Sequence, residues 1–149
     1  MTPEQELVER FADRTQVLSV LDAIYGTRKG REARAVKLAP TLVDALAAGV
    51  RHPHPRVRWW CIQVLDHSDD PAAIAAIAPA LDDPVPRVRR NAAHALGCVI
   101  CKPAWDGSLP PGTLDRLAEL ADSDPNAKVR LTARHSLACR AAATAPEPA

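Results

Sequence analysis

One motif, Pro-x-x-x-Val-Arg, occurs three times in this 149-residue chain and constrains its fold more than any other feature. The copies lie at residues 52–65, 83–96 and 124–137 and align without a gap. Their valines are 31 and 41 positions apart, and the ten additional residues lie in a loop insertion at 101–112. A repeat at this spacing predicts similar units that stack on one another.

Each copy is predicted to begin an amphipathic helix. Its small and apolar residues recur at i, i+4, i+7 and i+8, as in Val88, Ala92, Ala95 and Leu96. The proline before each copy separates this helix from the preceding one. A further apolar helix precedes each copy, at about 38–48, 71–81 and 113–121. Each unit is therefore a helical hairpin that must stack on its neighbours to bury its apolar face.

The pattern resembles HEAT repeats of the short type found in phycobilin lyases, and the resemblance covers residues 38–141. It implies an all-α, right-handed α-solenoid of about three HEAT-like helical hairpins, with N-terminal capping helices in residues 1–37. The Pro-rich tail at 142–149 is predicted to be disordered, because it has no apolar residues to pack.

The resemblance also implies that the aspartates and arginines of the motif form polar contacts between adjacent repeats. This Asp–Arg ladder would consist of Asp83, Asp124, Arg58, Arg89 and Arg130. His52 stands where the first copy should have an aspartate, so we expect a weaker rung there.

Charge and hydropathy exclude several classes of protein. The 19 basic and 18 acidic residues give a net charge of +1, so no overall excess of charge indicates a nucleic-acid partner or an acidic substrate. No apolar stretch approaches the roughly 20 residues that span a bilayer, and the first residues do not resemble a secretory signal. We therefore expect a cytoplasmic protein that does not bind membranes, with its four cysteines reduced.

In proteins of this family the motif-bearing helices line the concave surface, which implies that their non-core positions bind ligands. The candidate binding residues are Trp59, Trp60, Arg56, Arg87, Arg90, Asn91, His94, Lys128 and His135. These helices, taken as residues 56–66, 87–102 and 127–140, hold ten basic residues and one acidic residue. The neutral total therefore conceals a basic inner face, although three of the ten are ladder arginines.

Trp59 and Trp60 stand out because the other two copies have Arg-Asn and Leu-Thr at these positions. Tryptophan is enriched at binding hot spots and offers a stacking surface. We expect at least one of the two to be half exposed and to anchor a partner. The alternative is that both pack beneath the N-terminal helices.

A metal site is a second alternative for this surface. The i,i+4 pairs His94/Cys98 and His135/Cys139 have the ligand types of a zinc site, and Cys101 extends the first pair. However, stacked helix axes lie about 8–10 Å apart, and no partners for a second coordination shell are evident. Small cysteines in crowded helices explain the pattern better, so no metal or other cofactor is expected.

Two classes of HEAT-repeat enzyme fit the residues poorly. Deoxyhypusine hydroxylase binds iron through repeated His-Glu pairs, whereas the five histidines here precede proline, serine or alanine. DNA glycosylases of this fold pair a tryptophan with an acidic residue, and none lies one turn from Trp59 or Trp60. No other catalytic set is evident.

The sequence therefore predicts a scaffold without enzymatic activity that binds another protein on its concave surface. Its central anchors would be Trp59, Trp60, Arg87 and Arg90. The alternative is a nucleic-acid-binding protein that uses the same arginines.

Overall fold

The computed structural model describes residues 1–26, 37–98, 102 and 105–144, and these residues form helices and turns without a strand. The α-helices are α1 (Pro3–Glu9), α2 (Val17–Tyr25), α3 (Pro40–Gly49), α4 (Pro55–Leu65), α5 (Pro71–Ile77), α6 (Pro86–Gly97), α7 (Thr113–Ser123) and α8 (Ala127–Thr144). Three 3-10 turns add to them, at Arg10–Ala12, Arg14–Gln16 and Ala78–Asp82. Helices α3/α4, α5/α6 and α7/α8 form three hairpins, which confirms the predicted all-α solenoid.

Local sequence signals explain where these helices begin. Proline occupies the first turn of α3, α4, α5 and α6, where its missing N–H costs no hydrogen bond. The residue before the proline often caps the helix: His54 Nδ1 accepts the backbone N–H of Arg56 at 3.1 Å, and Asp70 Oδ1 accepts that of Ala72 at 2.9 Å. Proline in the first turn therefore marks the start of the motif-bearing helices α4 and α6, whereas α8 begins at Ala127.

Stacking of the hairpins creates one continuous core. The three motif valines, Val57, Val88 and Val129, are at most 1 % exposed. Successive motif-bearing helices pack on one another, α4 on α6 and α6 on α8, while α1 packs on α3 and closes the N-terminal end. The described residues contain no helix that is long and apolar enough to cross a membrane.

The Asp–Arg ladder is present between adjacent repeats. Arg58 donates through Nε and Nη2 to the carboxylate of Asp83, at 2.7 and 3.0 Å. Arg89 makes the same two bonds to Asp124, at 2.9 and 3.1 Å. The remaining Nη1 groups donate to backbone carbonyls, so each ladder arginine joins three points of the chain.

The ladder ends differently at the two ends of the solenoid. Arg130 donates through Nη1 to the backbone carbonyl of Asp124 at 2.6 Å. At the other end, His52 Nδ1 accepts the N–H of His54 at 3.0 Å, as an aspartate would. Its Nε2 lies 2.9 Å from the carboxylate of Glu9 in α1. The rung that we expected to be weak is therefore replaced by a contact with the N-terminal cap.

Gly97 allows α6 and α8 to approach closely. A Cβ atom at this position would lie 2.2 Å from Cβ and 2.6 Å from Cα of Ser136. We expect Gly97→Ala to lower the free energy of unfolding by about 1–3 kcal/mol, the usual cost of overpacking. Urea denaturation followed by circular dichroism measures this loss. A loss below about 0.5 kcal/mol, typical of surface substitutions, would contradict the close approach.

Two predicted boundaries differ from the structure. Helix α6 ends at Gly97, because Cys98 leaves the helical region with φ −83° and ψ 85°, so the inner helix predicted at 87–102 is too long. Helix α8 continues through Thr144 on an alanine run with high helix propensity, so residues 142–144 are not a disordered tail. Residues 27–36 of the N-terminal cap and residues 145–149 lie outside the described residues.

Candidate functional site

A cleft of about 260 Å³ opens between the N-terminal ends of α4 and α6. We call it the arginine–tryptophan cleft. Its polar and aromatic lining consists of Arg14, His54, Arg56, Trp59, Trp60 and Arg87, and Pro55, Val85 and Val88 complete the wall. None of the described acidic side chains lines this cleft.

Trp59 and Arg87 form one wall of the cleft together. The guanidinium carbon of Arg87 lies 4.9 Å from the centre of the Trp59 ring, within the range of a cation–π contact. The Trp60 ring meets Trp59 edge-on, with centroids 4.8 Å apart. Asn91 donates to the backbone carbonyl of Trp59 at 2.9 Å. These contacts hold the Arg87 guanidinium in a defined place on an otherwise exposed side chain.

Trp60 joins the cleft to the N-terminal cap. Its ring stacks on Phe11 with a centroid distance of 5.7 Å and an interplanar angle of 9°. Phe11 is fully buried, and both tryptophans are partly buried. The expectation that one tryptophan is half exposed is therefore wrong. The cap covers Trp60, as in the alternative interpretation, and Arg87 covers a face of Trp59.

Arg56 has an unmet hydrogen-bonding requirement. Its Nε atom is buried and has no hydrogen-bond partner. The nearby carboxylate of Asp13 is engaged locally, because it accepts the hydroxyl of Thr15 at 2.7 Å and its N–H at 2.9 Å. These bonds, with a smaller contribution from Arg56, hold the pKa of Asp13 below its usual range. Asp13 is thus ionised but does not satisfy the Arg56 Nε–H group.

The other predicted binding residues do not line the cleft. Asn91, which was predicted to bind a ligand, is instead buried. Only 6 % of it is exposed, because its amide donates to the Trp59 backbone. Arg90 is exposed and donates to the hydroxyl of Thr132 at 3.3 Å. The remaining three are exposed elsewhere on the motif-bearing helices: His94, Lys128 and His135.

The predicted metal tetrad finds no support among the described side chains. No group of three or more His, Cys, Asp or Glu residues there is arranged to hold a metal ion. His135 Nε2 and Cys139 Sγ are 3.5 Å apart, but His94 Nε2 lies instead 3.5 Å from the carboxylate of Asp66. Cys101, the fifth residue of this hypothesis, lies outside the described residues.

Lys102 is a buried residue that sequence reasoning assigned to the basic inner face. It is 1 % exposed, and its Nζ donates to the carboxylate of Asp66 at 2.6 Å and to the carbonyls of Ala95 at 2.6 Å and Cys98 at 3.3 Å. It therefore ties the loop insertion to the end of α6.

The charge of Asp66 also affects Tyr25 of α2. Burial, with the nearby Asp66 charge, raises the pKa of Tyr25 to about 12.

Five of the ten basic residues predicted for the inner face donate to carboxylates or backbone carbonyls of the protein. They are Arg58 and Arg89 in the ladder, Arg130 on a carbonyl, Lys102 on Asp66, and Arg140 on the carbonyls of Leu96 and Gly107. Sequence reasoning also missed two residues that line the cleft. Arg14 lies in a turn outside the repeats and carries no signal, whereas His54, next to Arg56 at the start of a motif-bearing helix, could have been included.

The fold is similar to that of a solved structure, human deoxyhypusine hydroxylase in complex with glycerol. The two share 23 % sequence identity with a TM-score of 0.59, over 94 % of this chain and 44 % of that chain. The present chain thus spans less than half of the enzyme's length, and a likeness at this identity shows the fold alone. No curated protein sequence matches the chain.

This likeness contradicts the prediction of a scaffold without enzymatic activity. That prediction rested on an extended repeat surface and on the lack of a recognisable catalytic set. The similar protein is an enzyme with the same architecture, so repeats of this type do not separate binding proteins from catalysts.

The family assignment rests on sequence as well as on fold. A family model described as HEAT repeats matches residues 39–138, more than half of the chain and all three motif copies. The ladder and the three stacked hairpins agree with that match. The chain therefore belongs to the HEAT-repeat family.

Proposed function

We propose that this protein binds an anionic ligand in the arginine–tryptophan cleft. The observation that carries the proposal is the charge of the lining: Arg14, Arg56 and Arg87 come from three separate elements, and no acidic side chain of the described residues joins them. A cleft lined by one sign of charge focuses the electric field and concentrates ions of the opposite sign. An anion would therefore be attracted to this place rather than to the surface as a whole.

The ladder arginines differ from the cleft arginines because they have carboxylate partners within the protein. Arg58 and Arg89 each face a carboxylate that accepts two of their hydrogen bonds. In the cleft, Arg87 instead has an aromatic ring beneath it, and Arg56 has a buried Nε without an acceptor. Neither guanidinium is paired with a carboxylate among the described ion pairs, so both can contact an anionic ligand in the cleft.

The likeness to deoxyhypusine hydroxylase does not extend this proposal to metal chemistry. The iron ligands implied for that enzyme are His-Glu pairs, and no histidine here precedes a glutamate. The described His, Cys, Asp and Glu side chains do not gather into a set of metal ligands either. No step of the proposed function therefore involves a metal.

Charge reversal in the cleft tests the proposal. We expect the double variant Arg56→Glu/Arg87→Glu to bind a fluorescein-labelled peptide of alternating Glu and Gly at least about 10-fold more weakly than the wild type, because two attractive contacts become repulsive. Fluorescence anisotropy at physiological ionic strength measures the affinity. Circular dichroism establishes that the variant is folded.

Arg134→Glu is the matched control. Arg134 is an exposed arginine of α8, at the position that corresponds to the buried Ile62 and Ala93 in the other copies. It does not line the cleft, so we expect a change of about two-fold or less, after screening by salt. If both variants weaken binding equally per reversed charge, binding arises from the overall charge of the protein and not from the cleft. A wild type that shows no saturable binding would also contradict the proposed site.

A further inference from the structure

The cleft holds more cationic groups than a carboxylate requires. In the ladder, one arginine is enough for one carboxylate: Arg58 for Asp83 and Arg89 for Asp124. The cleft brings together three arginines and a histidine. A dianion with three acceptor oxygens fits this set better than a single carboxylate does, because it can accept charge-assisted hydrogen bonds from several guanidinium groups at once.

Two further groups at the cleft favour such an anion. Helix α6 begins at the cleft with Val85 as its N-cap, which makes no side-chain capping bond. The first turn of this 12-residue helix carries partial positive charge, and the carboxylate of Asp83, which accepts the N–H of Val85 at 2.9 Å, is already paired with Arg58. Arg56, which also lines the cleft, adds the terminal N–H donors of its guanidinium as the second group. Both are present in addition to the positive charges of Arg14 and Arg87.

From this geometry we infer that the ligand is a phosphorylated side chain of a partner polypeptide. The inference rests on the proposed anion binding in the same cleft and specifies its chemistry. The phosphoryl group would lie between Arg56, Arg87 and the start of α6, with Arg14 completing the positive lining. A cleft of about 260 Å³ accommodates a single such group.

Nucleic acid, the other carrier of phosphate, fits this cleft less well. Proteins that bind single strands stack the bases on exposed aromatic rings. Here Arg87 covers a face of Trp59, and Trp60 is stacked on Phe11. In the described part of the cleft, one face of each tryptophan is thus already covered, whereas the arginines are available to a phosphate.

Three matched peptides test the inference. Their sequence is Gly-Gly-X-Gly-Gly with blocked ends, where X is phosphoserine, glutamate or serine. Because the phosphoryl group carries about twice the charge and an additional acceptor oxygen, we expect the phosphoserine peptide to bind at least about 10-fold more tightly than the glutamate peptide. The serine peptide should not bind, and inorganic phosphate should displace the phosphoserine peptide. Isothermal titration calorimetry measures the affinities.

Arg56→Lys tests the position of the ligand, because it keeps the charge and removes the planar guanidinium with its fork of N–H donors. We expect it to weaken binding of the phosphoserine peptide about 10-fold, the value of one hydrogen bond to a charged group. In the wild type, the Nε–H resonance of Arg56 should shift on titration. An unchanged affinity together with an unchanged resonance would place the phosphoryl group elsewhere and overturn the geometry.

The outcomes separate this inference from the proposed function. If the glutamate peptide binds as tightly as the phosphoserine peptide, the cleft binds anions but is not selective for phosphate. If oligothymidylate binds more tightly per phosphate than the peptide, the assignment to a polypeptide is wrong. If no charged peptide and no inorganic phosphate binds, both the inference and the proposed function fail.

Discussion

Replacement of Lys102 by methionine is expected to lower the free energy of unfolding by about 3–5 kcal/mol, the usual cost of breaking a buried ion pair on one side. Lys102 is 1 % exposed and Asp66 is 2 % exposed. Without the ammonium group, the carboxylate of Asp66 stays in the interior without its 2.6 Å partner. The carbonyls of Ala95 and Cys98 lose a donor as well.

Urea denaturation of three variants identifies the cause of this loss. Adding Asp66→Asn to Lys102→Met removes the uncompensated charge, so we expect the double variant to be more stable than Lys102→Met alone. Lys128→Met makes the same change on an exposed lysine of α8 and should alter stability by less than about 0.5 kcal/mol. Equal losses in the two methionine variants would mean that the Lys102–Asp66 pair does not hold the loop insertion.

The fold could be predicted because local signals and the repeat pattern agree. The motif valines mark the buried face, and the prolines mark the helix starts. Family resemblance supplied the partners of Arg58 and Arg89, since the arginine keeps the same register in all three copies and the aspartate in the second and third. Once the register is fixed, most core positions follow from helical periodicity.

The candidate site could be predicted only in part, because its character depends on contacts between distant segments. Arg87 and Lys102 were both counted as cations of the inner face. Arg87 remains exposed over Trp59, whereas Lys102 is buried on Asp66, which lies 36 residues earlier in the chain. No periodic pattern predicts the burial of Lys102, because α6 ends at Gly97 and Lys102 lies beyond the helix.

The ladder and the cleft are mechanically connected. Arg58 joins the first copy to Asp83, which immediately precedes the turn that leads into α6. That bond ties the segment before α6 to α4, and Arg87 of α6 contacts Trp59 of α4 beside it. The arginines of the motif thus position the residues beside them, and these neighbouring residues form the cleft.

The second rung provides the other large effect: Arg89→Ala is expected to lower the free energy of unfolding by about 3–5 kcal/mol at neutral pH. The side chains of Arg89 and Asp124 are 11 % and 3 % exposed. The variant leaves the Asp124 carboxylate buried without its cation and removes a donor from the carbonyl of Asp83. Although burial opposes ionisation, the bonds from Arg89 and from the Asn126 N–H hold the pKa of Asp124 below its usual 3.8.

The pH dependence separates this ion pair from a mere loss of packing. Because the folded-state pKa is lowered, the wild type has the full stabilisation above the unfolded-state pKa and loses it as the pH falls through the folded-state value. The deficit of Arg89→Ala should therefore be largest near pH 7 and shrink below about pH 4. Arg116→Ala breaks the exposed pair with Asp82 and should cost less than about 1 kcal/mol. A deficit of Arg89→Ala that stays constant with pH, or equals that of Arg116→Ala, would show that the ladder contributes packing and not charge pairing.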